Sequence, residues 1–126
     1  MKKLLAVMFA VLFVLVSGFT QAAWYTSNII TNPTANQIIA DTGAIGDGFG
    51  HDFDVCVSST VAAAIVVEWR DAANAANVFA HIIPVPANGF ACFTSRGSLT
   101  FQTSERVRLR MNAAVTGSVQ GSINFF

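Results

Sequence analysis

The chain has 126 residues, 53% of them apolar and only 11% charged, with seven cations balanced by seven anions. That length accommodates one domain. A sparse, neutral charge with no basic run argues against a general nucleic-acid binder.

The N-terminus has a two-lysine head, Lys2 and Lys3, followed by an unbroken apolar stretch from Leu4 to Val16 that relaxes into Ser17, Gly18 and Thr20 before Gln21, Ala22 and Ala23. This is the three-part layout of a secretory signal peptide. As a helix the apolar stretch would span only ~20 Å, short of a ~30 Å hydrocarbon core, so no stable membrane insertion is expected after processing. Cleavage after Ala22 or Ala23 leaves a small residue at the cut and a mature start near Trp24. The expected organisation is a signal peptide over 1–23 and one domain over 24–126. The product would be secreted, held at the cell surface or kept in the periplasm.

Removal of the signal takes away both lysines. Five arginines then face seven carboxylates, a net charge of −2. Two cysteines remain, Cys56 and Cys92. In an oxidising compartment they are expected to form a disulfide, within or between chains.

Past the signal, the apolar residues recur with period two, and Gly, Asn, Asp and Pro stand between the runs. Trp24 to Ile30 is the first strand candidate, isolated by Asn32-Pro33. Trp24, Tyr25, Ile29 and Ile30 in it could supply a subunit-contact strand. Gln37 to Ala40 is the second. Gly46 to Asp54 follows, with Asp47, Asp52 and Asp54 as hard oxygen ligands that would suit calcium, although the spacing is not that of an EF-hand. A solvated turn and strand face is the competing reading.

Phe49 to Ser58 reads as a strand with Asp52, Asp54, Cys56 and Ser58 on one face and Phe53, Val55 and Val57 on the other, which puts the disulfide outside the main core or on a strand covered from both sides. Val61 to Arg70 places Ile65, Val67 and Trp69 opposite Val66, Glu68 and Arg70. Asp71 to Asn77 lacks an apolar stripe and reads as a connection. Val78 to Val85 is a strand carrying His81 on the face of Phe79 and Ile83. Asn88-Gly89 is a hairpin signal leading into Phe90 to Thr94. Ser98 to Thr103 alternates. Arg106 to Val115 sets Val107, Leu109 and Met111 against a row of Arg106, Arg108 and Arg110. Beyond a turn near Thr116 to Ser118, the alternating segment to Phe125 is expected to close a terminal hairpin.

Eight or nine short strands about ten residues apart predict an all-β fold: a single antiparallel β-sandwich or jelly roll of about eight strands. An outer-membrane barrel is disfavoured, because eight strands of ~9–11 residues plus turns would use up the mature chain. No nucleophile motif or phosphate loop is present, and an enzyme is not expected. The arginine row reads either as a solvated outer face whose charges blunt sheet-edge association or as a row that pairs with Glu68, with the acidic face of another subunit, or with an anionic glycan. The expected function is a structural subunit of an extracellular assembly, with a homo-oligomer or polymer as partner and no cofactor. The alternative is a monomeric glycan-binding module.

Overall fold

The structure is a computed structural model that describes residues 24–26, 29–44, 52–95 and 104–125. The signal segment, Asp47, His51 and the expected strand Ser98 to Thr103 lie outside the described residues. Within them the chain is all-β, with nine strands in two antiparallel sheets and no helix. The strands are β1 (Trp24–Thr26), β2 (Ile30–Thr31), β3 (Ile38–Asp41), β4 (Phe53–Ser59), β5 (Ala63–Arg70), β6 (Asn77–Val85), β7 (Gly89–Thr94), β8 (Arg106–Met111) and β9 (Ser118–Phe125). One sheet runs β1-β9-β4-β7, with β2 also on β9; the other runs β3-β8-β5-β6. Because β1 and β2 lie end to end along β9, the sandwich has eight lanes, as the strand spacing predicts.

Period-two alternation supplies the core. Phe53, Val55 and Val57 from β4 and Val119 and Ile123 from β9 meet Ile65, Val67 and Trp69 from β5 and Val107, Leu109 and Met111 from β8. Burial of these side chains is the main favourable term for a domain this small. Trp69 keeps its indole N–H satisfied by donating to Glu105 Oε2 at 2.7 Å. At the start of β4, the Ser95 hydroxyl accepts the Phe53 N–H at 2.6 Å and donates to the Phe53 carbonyl at 3.0 Å.

Two connections differ from the expectation. β8 and β9 belong to different sheets, so the segment around Thr116 to Ser118 carries the chain across the sandwich rather than closing a hairpin. The same holds for Asn88-Gly89, which links β6 in one sheet to β7 in the other, with Asn88 at φ 52°. In each case both flanking strands alternate toward the same core. Alternation is identical for a strand that pairs with its neighbour and for one that faces it across the core. Among the described residues the hairpin is β5-β6, closed by the connection read from Asp71 to Asn77. There Arg70 donates to the Asn74 carbonyl at 2.7 Å and to Asn77 Oδ1 at 2.6 Å.

Candidate functional site

Cys56 and Cys92 are direct register partners on β4 and β7 and are joined within the chain, with Cα atoms 4.1 Å apart. The bond lies on the outer face of its sheet, one of the two placements that parity leaves open. A disulfide suits an oxidising compartment. Among the described residues no helix is long and apolar enough to cross a membrane.

The outer face of the other sheet carries the arginine row. Cross-strand register sets Arg108 opposite Glu68 and Arg110 opposite Val66. The Glu68 carboxylate is only 2% exposed. Arg108 Nε donates to its Oε2 and Arg110 Nε to its Oε1 at 2.7 Å, while Asn77 Nδ2 reaches Oε1 at 3.4 Å. Arg110 also donates to Asn36 Oδ1 at 2.8 Å. Burial disfavours the charge on Glu68, but hydrogen bonds from Arg110 and Arg108, together with their positive charge, outweigh it and hold the carboxyl below the usual carboxylate range. Arg106 stands apart, 3.8 Å from Asp41. Of the three pairings the sequence leaves open for Arg108 and Arg110, the structure contains the one with Glu68. Parity alone places Val66 and Glu68 at the surface; the structure buries both, beneath a face that the two arginines cross.

Asp52 and Asp54 share one face at the start of β4, half-buried. Among the described residues no group of three His, Cys, Asp or Glu is placed to hold a metal. Asp47, the third ligand of the calcium reading, lies outside them.

Within the Trp24-to-Ile30 segment, the described residues of β1 and β2 pair with their own domain. Trp24 lies opposite Asn124 and Thr26 opposite Ser122, and Ile30 pairs with Val119. Ile29, between the two short strands, is exposed.

Two surface features are not legible from single motifs. One is Phe90, 74% exposed on the outer face of β7. It borders an open groove of about 380 Å³ lined with Ile29, Ser58, Thr60, Asn88 and Gln120. The other is the edge formed by β6. Its side chains Val78 and Ile82 are each 52% exposed, and at its core-facing side His81 lies 5.0 Å from Phe93 and 6.3 Å from Phe79, ring centre to ring centre. The signal for both features is a stretch from Ala72 to Ser95 without one Asp, Glu, Lys or Arg, which forms β6 and β7, the strands at the sheet edges among the described residues. The opposite edges are different. β3 has four residues, a register shift and Asp41, while β1 and β2 are three and two residues long. Neither a protein-family model nor a curated protein matches the chain.

Proposed function

We propose that the chain is an exported structural subunit of an extracellular or cell-surface assembly, a filament, fibre or surface layer. The observation that carries this reading is the asymmetry of the sandwich edges. Soluble monomers blunt their sheet edges with short strands, bulges and inward or flanking charge. The β1/β2 and β3 edges are short and β3 adds a charge, whereas β6 runs for nine residues without Asp, Glu, Lys or Arg and carries its bulge, at Val78, and its proline, Pro84, only toward its two ends. A lysine-free mature surface of low charge offers little repulsion between copies. Within such an assembly β1 could exchange onto β9 of a neighbour with the same register it keeps at home, which is the form that N-terminal strand addition takes in this fold.

The test is electron microscopy of the native secreted material, with mass measurement of its N-terminus. Ordered filaments, rings or sheets of a chain beginning near Trp24 support the reading; single particles at high concentration remove it. Deleting Trp24 to Ile30 separates strand exchange from association through other surfaces when the circular dichroism of the variant stays native, because the subunit itself pairs this segment with β9.

A second reading rests on Phe90. An exposed aromatic ring beside a groove carrying Ser58, Thr60, Asn88 and Gln120 offers a stacking face with hydroxyl and amide partners, the chemistry that holds a sugar. Glycan-array binding by a monomer, lost in Phe90→Ala, is the result that favours it.

A further inference from the structure

We infer that the outer edge of β6 docks a second copy of this chain, through antiparallel pairing of the two β6 strands about a two-fold axis at His81. The inference rests on the assembly reading and specifies its first contact.

The hydrogen-bonding row that β6 presents follows from the ladder. Asn112 N–H donates to the Ala64 carbonyl at 2.9 Å, so the peptide groups of Ala64 point toward β8. Along a strand this direction alternates, so Ile65 and Val67 point toward β6 and exchange bonds with their register partners Ile83 and His81. The peptide groups of Ala80, Ile82 and Pro84 therefore point away from the sheet. Pro84 fits that arrangement, because proline within a sheet belongs where its missing N–H faces outward. Among the described residues no strand pairs with this side of β6.

The row selects its own partner. Pairing Ala80 of one copy with Ile82 of the other lets all N–H and C=O groups of both residues bond reciprocally, the self-complementarity that a two-fold contact requires. Sliding by one step to put Ile82 opposite itself would set Ala80 against Pro84, which has no N–H to give. Sliding the other way would set Ile82 against Val78, next to the register shift between Trp69 and Arg70, whereas the favoured register sets Val78 and Pro84 against each other at its two ends, outside the four central bonds. The favoured register places His81 opposite His81 at a non-hydrogen-bonded position. A two-fold axis brings any charge near it against its own copy, and β6 has no Asp, Glu, Lys or Arg from Asn77 to Val85. On the outer face, Val78, Ala80 and Ile82 of the two copies would join into one apolar strip.

The test uses protein secreted from the full chain, studied by sedimentation velocity over a range of concentrations. Ile82→Pro removes an N–H that the single subunit does not use, so its circular dichroism is expected to match wild type while association weakens at least tenfold. Ile82→Lys, which keeps the N–H but adds charge at the axis, is expected to weaken association in the same way should the proline variant fail to fold. His81→Cys reports the register: non-hydrogen-bonded pairs bring Cα atoms to about 4.5 Å, as for Cys56 and Cys92, so a dimer linked through residue 81 is expected on a non-reducing gel, and none from Val78→Cys. Folded Ile82 variants that associate like wild type overturn the β6 contact and leave the assembly reading standing. A wild-type protein that stays monomeric throughout overturns both.

Discussion

Glu68→Gln keeps the shape of the side chain and removes its charge at the most enclosed ionic site described. In the wild-type chain the two carboxylate oxygens each accept from a different arginine, Oε2 from Arg108 and Oε1 from Arg110. In the variant one of those donors meets an amide NH2, another donor, and two guanidinium groups lose their shared counter-charge. Breaking a buried ion pair by removing one partner costs about 3–5 kcal/mol. Here the arginine side chains keep 20% and 23% exposure and can turn toward water, which places the expectation at about 2–3 kcal/mol. With an unfolding entropy of about 2.1 cal/mol/K per residue over roughly 100 residues, the melting temperature should fall by about 10–15 °C. Because the folded carboxyl is held below its unfolded value, the charge stabilises above the unfolded pKa of about 4.3, and that contribution is lost as pH falls through the lowered folded value. Urea titrations of wild type and variant, with the disulfide intact, should therefore differ most at pH 7 and converge in strong acid. A loss under about 0.5 kcal/mol at pH 7, or a gap that stays constant into acid, would refute the buried-pair account.

Arg106→Ala removes a neighbour from the same row but only a 3.8 Å contact with Asp41, and it should cost less than about 1 kcal/mol by the same titration. Gly121→Ala would put a methyl group 2.8 Å from Leu109 Cδ1 and 3.1 Å from Ile39 Cγ2; Leu109 is fully buried, so a loss of about 1–3 kcal/mol is expected, against no more than about 0.5 kcal/mol for Ser122→Ala on the opposite face. Joint replacement of Cys56 and Cys92 by serine frees a loop of sequence separation 36 and should lower stability by about 4 kcal/mol in the chain-entropy model. Since Cys92 is exposed and Cys56 half-buried on an outer face, near-ultraviolet circular dichroism of the still-folded fraction should stay native-like; a loss of native core signal there would show that the bond organises the core rather than the unfolded chain.

Much of the architecture is legible in residue parity. The alternation of Val107, Leu109 and Met111 against the arginines, and of Phe53, Val55 and Val57 against Cys56, identifies the strands and their inner faces and sets the disulfide on the face opposite Phe53, Val55 and Val57. Parity does not identify neighbours. It cannot tell a strand that hydrogen-bonds to the next one from a strand that faces it across the core, which is why the β6-β7 and β8-β9 links read as hairpins. Nor does it register what lies over an outer face. Val66 and Glu68 are both at outward positions, yet both are buried, because Arg108 and Arg110 on β8 come to lie beside them only once the sheet is assembled.

The candidate contact surfaces follow the same division. The Trp24-to-Ile30 segment reads as a free apolar strand, while in the structure β1 and β2 complete the sheet beside β9, so any exchange between subunits would begin from a strand already paired. The β6 edge is encoded in a quieter way, by the absence of charge from Ala72 to Ser95. That absence acquires meaning only when topology puts β6 and β7 at the sheet margins, where uncharged backbone is a template for another strand. His81 shows the combination: parity places it with Phe79 and Ile83, and the edge position leaves it exposed beside Phe93 rather than enclosed.

The central claim, that this is an exported subunit built to associate, is tested most directly by the mass of the secreted, processed protein in solution. Sedimentation velocity from low to high concentration, with intact-mass measurement of the same sample, should give a chain starting near Trp24 with its disulfide closed within the chain and with dimers or larger species growing with concentration. A processed chain that sediments as one monomeric species at every concentration would contradict the account.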